Sequence, residues 1–418
     1  FFFKQKTAYE IKECDLEFRR VLFRSKKVAV VGAGITGLCS AYYLARQGHR
    51  VTVFEAERYA GMKTSFANGG QISVSNSETW TTWSNVKKGI RWMWQKDAPL
   101  KFRFRLDWPM WRWVAKFMWA TITGQYSRNT AETIKLGIES RKLYDEICVE
   151  EHIENIVFDR SNCGIVHFYK TPSYWQNAQN VKELYNANGC QWDILASDQH
   201  VKALDPALSD INGIIGGTWT STDWTGDIHK FCYHLADILE TKYGVTFHYD
   251  YKVETVDQLG NYEAIVIANG VGSRALAGTV GDNIDVYPVK GYSITINNVD
   301  PKYLPRVSLL DDEAKIVTSS LGNRFRVAGT AELAGENYDI TRDRIDPLLR
   351  WVHTNFPNIN THDYTQYACL RPMTPNMMPI IEQSKKNLQV FYNTGHGHLG
   401  WTLGPATGRR VADLVNRH

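Results

Sequence analysis

Residues 27–55 read KVAVVGAGITGLCSAYYLARQGHRVTVFE and indicate a nucleotide-binding domain. An apolar strand leads into Gly32, Gly34 and Gly37, which stand at the G-x-G-x-x-G spacing, and an amphipathic helix and a second strand ending at Glu55 follow. This pattern predicts a mononucleotide-binding βαβ unit. The alternative is a chance glycine-rich turn, and the flanking strands and the placed acid argue against it.

Each part of this pattern has a physical role in holding a dinucleotide. Gly32 allows the tight turn, Gly34 lets the backbone approach a pyrophosphate, and Gly37 lets the helix pack close to the strand. The free amides at the helix start face the phosphates, and Glu55 can accept both ribose hydroxyls of an adenosine. Glu55 also argues against NADP, because its charge would repel a 2′-phosphate. The other residues expected in this part of the site are Ala33, Ile35, Thr36 and Ala56.

The sequence after Glu55 favours FAD over a nicotinamide cofactor. A nicotinamide dehydrogenase usually continues into a third strand of the same sheet. Here residues 56–73 are polar and glycine-rich, and a long tryptophan-dense stretch follows. Strand-like sequence ending in small residues returns only at 263–270, and another glycine-rich turn comes at 393–404. A nucleotide domain divided by large insertions is typical of flavin enzymes of the glutathione-reductase and amine-oxidase type.

The composition indicates a large cytoplasmic enzyme. The 418 residues are 43% hydrophobic, enough for two domains that each have a full core. No run of 18 apolar residues is present, so no membrane-spanning helix is expected. The seven cysteines include no C-x-x-C pair, which suits a reducing compartment.

Residues 1–25 are expected to be a non-native leader. The segment has no initiator methionine, and it places mixed charges before the first strand. A signal peptide needs an uninterrupted apolar core ending in small residues, and this segment has none. We interpret it as read-through of adapter or vector sequence that has no part in the function.

Further motifs resemble those of bacterial D-amino-acid dehydrogenases (small subunit), which are flavoproteins of the D-amino-acid oxidase superfamily. The resemblance runs from about Lys27 to the C-terminus, and LRPMTP followed by NTGHGHLGWT is its most specific part. Asn376, Met377 and Met378 stand where these proteins often have Asp-Gly, so the substrate preference need not match theirs. The motifs are TSFANGGQIS (64–73), APLKFR (98–103), TGDIHKF (225–231), VYPVKGYSITI (286–296), LRPMTPNMMPII (370–381) and NTGHGHLGWTLG (393–404).

The resemblance implies an α/β fold with a discontinuous, Rossmann-like FAD-binding domain and an α+β substrate domain. The FAD domain is expected to comprise residues 26–80, 196–285 and 370–418. The substrate domain is expected to comprise residues 81–195 and 286–369.

The same resemblance implies further FAD contacts. Val253, in a predicted strand YKVETV, would touch the adenine through its backbone, and Ala268, Asn269 and Gly270 would turn beside the diphosphate. The alternative for both segments is an ordinary buried strand and its turn. The extended segment after Glu55 would lead to the flavin ring through Thr64, Ser65, Gly69, Gly70 and Gln71.

The 393–404 segment is expected to reach the pyrimidine end of the flavin. Its glycine-punctuated loop precedes a predicted helix, whose partially positive N-terminus would stabilise the anionic reduced flavin and raise its redox potential. His396 and His398 have a purely structural alternative. The resemblance places six residues at this end of the flavin: Gly397, His398, Leu399, Gly400, Trp401 and Thr402.

Arg371 is the main candidate for substrate binding. A guanidinium matches a planar carboxylate with two parallel charge-assisted hydrogen bonds, which a lysine cannot form. In the superfamily the arginine of an R-P motif holds the substrate carboxylate, and here only Leu370-Arg371-Pro372 matches. The alternative is a surface arginine paired with an acid. Tyr292 is a second candidate through its hydroxyl, although strand tyrosines are more often packing residues.

The implied reaction is oxidative deamination of a D-amino acid, with D-alanine among the substrates. The Cα hydrogen leaves as hydride to FAD, and the resulting imine is hydrolysed to a 2-oxo acid and ammonia. The site needs no metal and no side-chain base on carbon; it must orient the substrate, with Gln71 and the neighbouring glycines lining the flavin face. Electrons would pass to a quinone or another acceptor that is not oxygen. D-specificity is implied by the resemblance alone.

Residues 80–119 are unusually aromatic and basic. They hold eight of the fourteen tryptophans, nine Lys and Arg, and two acids, an excess of seven positive charges. Such a segment suits peripheral contact with an anionic membrane, on the inner face of the cytoplasmic membrane. The alternative is a solvated basic face over an aromatic core. Nucleic-acid binding is not expected, because no recognisable binding fold is present.

Three other hypotheses remain at this stage. One is a glycine- or sarcosine-type amine oxidase that uses oxygen. Another is a non-catalytic or RNA-modifying flavoprotein, which would have no need for a carboxylate-binding Arg371. The third concerns attachment: Cys369 could carry the flavin covalently, as in some sarcosine oxidases, but non-covalent FAD is the expectation.

Overall fold

The computed structural model describes residues 25–92 and 99–418. The expected leader, residues 1–25, lies outside the described residues except for Ser25. Numbered along the described chain, the strands and helices are β1 Lys27–Val31, α1 Ile35–Arg46, β2 Arg50–Phe54, β3 Gln71–Ile72, α2 Trp83–Trp92, β4 Leu100–Phe102, α3 Trp108–Ile122, α4 Tyr126–Glu150, β5 Ile165–Tyr169, α5 Pro172–Ala187, β6 Asp193–Leu195, α6 Asp198–Lys202, β7 Gly216–Thr220, β8 Trp224–Thr225, α7 Ile228–Thr241, β9 Thr246–His248, β10 Ala264–Ile267, α8 Ser273–Thr279, β11 Tyr287–Ile296, β12 Ser308–Asp311, β13 Ile316–Leu321, β14 Arg324–Leu333, α9 Arg342–Asn355, β15 Tyr364–Met373, β16 Ile380–Gln383, β17 Val390–Thr394 and α10 Gly400–Arg417.

The first sheet contains the predicted βαβ unit. Its strand order is β16-β17-β10-β1-β2-β9, and all neighbours are parallel except the edge pair β16 and β17. Both faces are covered, as a parallel sheet requires. Val28 and Val30 of β1 pack with α1, α7 and α10 on one face, and Ala29 and Val31 pack with β10 and α8 on the other. The predicted strand at 263–270 is therefore β10, beside β1.

The second sheet is mixed and forms the wall of the functional site. Its strand order is β15-β11-β14-β13-β12-β5-β7-β6, and β4 pairs with β14. Alternate residues of a strand point to opposite faces. One face packs on α9 through side chains such as Ile294, Val327 and Leu348. The other face carries Val289 and Arg371 toward the cavity described below.

The structure differs from the expected domain division at several elements, of which β7 and α4 are two. β7 lies within the segment 196–285, assigned to the FAD domain, but it pairs with β5 and β6 in the second sheet. Helix α4 lies within the segment 81–195, assigned to the substrate domain, yet Leu143, Tyr144 and Ile147 share a core with α1 and α10. Both differences arise because long-range packing, which local sequence patterns do not encode, decides where these elements dock.

None of the helices formed by residues 25–92 and 99–418 combines the length and the apolarity that crossing a bilayer requires.

Candidate functional site

A cavity of about 1170 Å³ runs from the carboxyl ends of the parallel strands to the inner face of the second sheet. Ligands of open α/β sheets bind at this edge. The volume exceeds the 300–1,000 Å³ that is usual for one small ligand. The cavity therefore has room for a dinucleotide and a second molecule.

The glycine motif leaves open space where a diphosphate would lie. Gly32 has a φ of +103°, and a Cβ there would lie 2.8 Å from the carbonyl oxygen of Ala268. A Cβ on Gly37 would lie 1.9 Å from the carbonyl oxygen of Gly32, so helix and strand touch through these two glycines. Gly34 lines the cavity, and a Cβ there would meet only the Ser65 hydroxyl at 3.5 Å. The N-terminus of α1 can therefore receive an anion.

Glu55 follows β2 on the cavity wall, as expected. Its Oε2 accepts a hydrogen bond from the backbone N–H of Ala33 at 2.6 Å, and its Oε1 accepts one from Glu57 N–H at 3.0 Å. Burial raises the pKa of Glu55, and these backbone N–H groups act in the opposite direction. The fixed carboxylate is placed to accept ribose hydroxyls.

The strand predicted around Val253 is wrong. The neighbouring strand β9 ends at His248, and residues 251–255 make no strand pairing. Val253 nevertheless lies on the cavity wall. The turn at 268–270 follows β10 and also lines the cavity.

The segment after Glu55 is anchored on both sides of the cavity. The Thr64 hydroxyl donates to the carbonyl of Leu370 at 2.8 Å, and Ser65 Oγ accepts a hydrogen bond from Ile35 N–H at 3.2 Å. Gln71 Nε2 donates to Ser308 Oγ at 2.7 Å and to a β12 carbonyl at 3.1 Å. This fixed path carries the chain from the nucleotide end to the second sheet.

Most residues expected to bind FAD lie on this one cavity. Those that line it are Gly32, Gly34, Ile35, Thr36, Glu55, Ala56, Thr64, Ser65, Gly69, Gln71, Val253, Ala268, Asn269, Gly270, Gly397, His398, Gly400 and Trp401. Five act from behind the wall or in the core instead: Ala33, Gly37, Gly70, Leu399 and Thr402.

The predicted helix after the second glycine-rich turn is α10, and its N-terminus meets the cavity at Gly400 and Trp401. His396 Nε2 lies 2.9 Å from Thr407 Oγ1 inside the fold, and burial lowers the pKa of His396 to about 3. His398 stacks on Trp80 with 5.3 Å between ring centroids. Burial and then the charge of Arg371 lower the pKa of His398 to about 4. Both rings are therefore neutral near pH 7. The partial positive charge at this end of the cavity comes from the N-terminus of α10.

Arg371 is an enclosed cation without an acid partner among the described residues. It lines the cavity, and among the described residues its Nη1 donates a hydrogen bond to the carbonyl of Thr330 at 2.9 Å. Burial lowers the pKa of the guanidinium, which stays charged near pH 7. A Cβ on Gly291 would lie 2.3 Å from Arg371 Nη2, so this glycine makes room for the fork. An enclosed charge without a partner is unfavourable, and a bound anionic ligand would stabilise it.

The structure does not bring Tyr292 to Arg371. In the β11–β15 pair, Val289 stands opposite Arg371 and Tyr292 stands opposite Ala368. Because successive residues alternate between faces, Tyr292 and Arg371 lie on opposite sides of the sheet. The Tyr292 hydroxyl donates to the buried carboxylate of Glu332 at 2.6 Å, and its ring packs in the core with Ile294. Tyr292 also lines the cavity, so its role as a substrate ligand stays a prediction, with its hydroxyl held by Glu332 in the free protein.

The cavity wall also carries a charged cluster that no sequence pattern predicted. Lys315 Nζ lies 2.9 Å from Asp312 Oδ1, and His167 Nδ1 lies 3.2 Å from Asp312 Oδ2. Burial would raise the pKa of Asp312, but Lys315 and His167 outweigh it and lower the pKa. Asp312 and Lys315 lie at the β12–β13 turn and His167 lies on β5. No local signal in DDEAK places that turn on the cavity. Thr330, with a φ of +58°, was missed for the same reason.

Cys369 is the residue through which the flavin would be covalently bound. It lies opposite Gly291 on the cavity face of β15, and burial raises the pKa of its thiol, so little thiolate is available to attack a flavin. After acid precipitation of the FAD-loaded protein, we expect the yellow colour in the supernatant. Colour that stays in the pellet, and leaves it in Cys369→Ala, would establish a covalent bond.

Comparison with known proteins agrees with this geometry. The family DAO, described as FAD dependent oxidoreductase, matches residues 27–414. D-amino acid dehydrogenase 3 of Mesorhizobium japonicum is 43% identical over 408 residues, covering 93% of this chain and 97% of that protein. D-amino acid dehydrogenase of Paramagnetospirillum magneticum is 36% identical over 406 residues, covering 93% and 95%.

The solved structures that resemble this one share its fold. Glycine oxidase from Geobacillus kaustophilus superposes with a TM-score of 0.73 at 19% identity, covering 94% of this chain and 95% of that one. L-proline dehydrogenase from P. horikoshii gives a TM-score of 0.71 at 14% identity, with 95% and 94% covered. The motif resemblance, the fold class and FAD as cofactor are thereby confirmed. The chain belongs to the DAO family of FAD dependent oxidoreductases.

Proposed function

We propose that the protein oxidatively deaminates D-amino acids, with D-alanine among them, to 2-oxo acids and ammonia. The observation that carries the proposal is Arg371, a cation on the cavity wall with no acid partner among the described residues. A substrate carboxylate would supply the missing charge through two parallel hydrogen bonds. The names of the 34–43% identical relatives support the D-amino acid as substrate.

The protein's own residues would hold the substrate rather than react with it. FAD, when bound, supplies the acceptor for the hydride from Cα. Arg371 fixes the carboxylate, while the Thr330 carbonyl holds the guanidinium in place. Gln71 and Gly69 line the same cavity. Such orientation is the main contribution a protein makes to this type of chemistry.

The deciding experiment is anaerobic mixing of the FAD-loaded protein with a panel of D- and L-amino acids, glycine and sarcosine. We expect D-amino acids to bleach the flavin and their L-enantiomers not to. Adding oxygen or a quinone to the bleached protein then distinguishes a dehydrogenase from an oxygen-using oxidase. No bleaching by any D-amino acid would contradict the proposal.

We also propose that the electrons pass to a quinone at a membrane surface. Helix α3 and the chain before it expose four large apolar side chains, Phe104 (72%), Leu106 (96%), Trp108 (76%) and Trp119 (64%). Exposed apolar side chains grouped in one part of a protein are typical of contact surfaces. Tryptophans beside basic residues are typical of proteins that lie on anionic bilayers. We call the surface formed by these four residues the aromatic patch.

The charge of residues 80–119 is partly neutralised in the fold. Lys101 pairs with Asp343 at 2.6 Å, Arg112 pairs with Asp285 at 2.8 Å, and Arg103 pairs with Glu332. The excess of seven charges counted along the sequence is thus reduced by acids from elsewhere in the chain. We infer that insertion of the aromatic patch contributes more to membrane binding than the sequence count suggests.

Co-sedimentation with lipid vesicles tests this contact, using a chain that starts at Ser25. We expect more binding to anionic than to neutral vesicles at low salt, at about 1 kcal/mol per well-placed cation. Raising the salt should remove part of the binding, because it shortens the Debye length. A salt-resistant remainder should be lost in the double variant Leu106→Ser, Trp108→Ser. If the protein stays in the supernatant equally with anionic and with neutral vesicles at low salt, the patch does not dock on membranes.

A further inference from the structure

We propose that the cavity carries a second anion site, formed by Lys315 and Lys88, which binds the side-chain carboxylate of an acidic D-amino acid such as D-glutamate. This inference rests on the proposed function, because it concerns the substrate that Arg371 holds by its α-carboxylate. Both lysines line the same cavity as Arg371. An acidic amino acid would then be held at its two ends, with its Cα between them.

Strand register brings Lys315 close to the head of Arg371. Ile316 of β13 stands opposite Gly329 of β14, so the next pair of neighbours is Lys315 and Thr330. The carbonyl of Thr330 also accepts the hydrogen bond from Arg371, which reaches it across β11. Neighbouring strands lie about 4.8 Å apart. The two cations therefore approach Thr330 from opposite sides, within the span of one small dicarboxylate.

Lys315 keeps hydrogen-bond donors for a ligand. Its Nζ lies 2.9 Å from Asp312 Oδ1, and an ammonium has three N–H donors. Burial would lower the pKa of Lys315, but Asp312 outweighs it and raises the pKa, so the ammonium is charged near pH 7. The side chain is enclosed by the protein and still 44% exposed, because it faces the open space of the cavity. Two of its donors, unused by the described residues, are thus open to an anion.

Lys88 of α2 is a second cation on this wall. It has no acid partner within the described residues 25–92 and 99–418, and its Nζ lies 4.0 Å from the centroid of the Tyr174 ring. Burial, and then the charge of Lys315, lower the pKa of Lys88. The two like charges therefore act on each other across the cavity. A carboxylate bound between them would relieve this repulsion.

Two acids share this wall, and both already accept hydrogen bonds. Asp312 receives Lys315 at one oxygen, and His167 Nδ1 lies 3.2 Å from the other. Glu78 accepts a hydrogen bond from the Tyr126 hydroxyl at 2.8 Å, and burial raises the pKa of Glu78, which disfavours its negative charge. Among the described residues, the groups still open to a ligand here are mainly donors. This balance suits an anionic side chain.

Thr330 adds a polar atom between the two ends of the site. Its Oγ1 is buried, and no described residue offers it a hydrogen bond. Its φ of +58° is unusual for a β-branched residue, and it lies where the register of β14 against β11 shifts. Such irregularities often re-aim groups at functional sites. Because Thr330 lines the cavity, its hydroxyl is available to a polar ligand that spans from Arg371 to Lys315.

The test uses the FAD-loaded full chain and two readouts. The first is anaerobic flavin bleaching by D-glutamate and by D-glutamine, which has nearly the same shape without the side-chain charge, with D-lysine as the cationic opposite. The second is calorimetric binding of glutarate and of butyrate, which requires no oxidation. Each readout gives a preference for the second charge that is internal to one protein sample.

Four variants are compared with the parent. Lys315→Met and Lys88→Met each remove one cation and keep the length of the side chain. The double variant Lys315→Met, Asp312→Asn removes one charge of each sign, so the net charge of the wall is that of the parent. Lys302→Met is the matched control, because this exposed lysine pairs with Asp300 at 3.0 Å and, among the described residues, is not part of the cavity wall.

We expect the parent to favour D-glutamate over D-glutamine, and glutarate over butyrate, at least tenfold. Lys315→Met and the double variant should each lower both preferences at least tenfold, and Lys88→Met at least threefold. Lys302→Met should stay within twofold of the parent. Should Lys315→Met fail to fold, the comparison of Lys88→Met with Lys302→Met decides the question.

A parent that favours D-glutamine or D-lysine would overturn the proposal. Preferences that survive in Lys88→Met and Lys315→Met, or that return in the double variant, would also overturn it, because net charge alone would then explain the effect. Failure of the proposed function is distinguishable. In that case no D-amino acid bleaches the flavin, while glutarate still binds more tightly than butyrate and loses this advantage in Lys315→Met.

Discussion

Arg371→Leu should slow anaerobic flavin reduction by D-alanine at least about a hundredfold. The substitution removes both hydrogen bonds to the substrate carboxylate and leaves that carboxylate unpaired in an enclosed site. Losing one partner of such a pair costs about 2 to 5 kcal/mol. Stopped-flow measurement of flavin bleaching over a range of D-alanine concentrations gives the rate and the apparent affinity.

The stability of the Arg371→Leu variant distinguishes substrate binding from a structural role. In the free protein the guanidinium is enclosed and lacks an acid partner among the described residues, so its removal should maintain or raise the melting temperature. Bound FAD should be retained. Arg371→Lys keeps the charge without the two parallel hydrogen bonds. Its rate of flavin reduction by D-alanine should therefore lie between those of the parent and of Arg371→Leu. Reduction of Arg371→Leu by D-alanine at the parent rate would show that Arg371 does not hold the carboxylate.

The nucleotide end of the site could be predicted because its signals are local. β1, the glycine turn, α1 and β2 form one continuous stretch, and hydrophobic spacing and glycine positions determine its structure. Helix α10 could be predicted for the same reason, because consecutive residues determine both its apolar face and its first residue. The expectation that Gly34 faces open space agrees with the packing around it.

The substrate end could be predicted only in part because it depends on strand register. Arg371 and Tyr292 look equivalent in sequence, as polar residues in two apolar strands. The pairing of β11 with β15 places them on opposite faces, and a register shift between Lys290 and Tyr292 in the β11–β14 pair adds a further irregularity. A shift of one residue would exchange the faces. No local pattern contains this information.

The contacts between distant segments were the least predictable part. Lys315 and Asp312 reach the cavity only because the β12–β13 turn folds over it. The apolar part of the cavity wall, with Val86, Leu100 and Val114, likewise forms where α2, β4 and α3 meet. In the sequence these elements appear only as a tryptophan-rich basic stretch, and the division into an inner wall and an outer surface comes from packing.

Gly34→Val should yield a folded protein without FAD. Gly34 has an ordinary φ of −72°, and a Cβ there meets only the Ser65 hydroxyl at 3.5 Å, so the chain itself tolerates a side chain. The two methyl groups of valine would instead occupy the space at the start of α1 that a diphosphate needs. We expect a colourless protein after gel filtration, with an unchanged far-ultraviolet circular dichroism spectrum.

The matched control for this variant is Gly278→Val. Gly278 also has open space around it and an ordinary φ, but it lies on α8 and does not line the cavity. A valine there carries the same cost of a β-branched residue without approaching the diphosphate. This control should keep its full flavin spectrum, and adding FAD should not restore colour to Gly34→Val. A Gly34→Val protein that retains stoichiometric FAD would place the diphosphate elsewhere in the cavity, because no phosphate oxygen and valine side chain can share the space in front of α1.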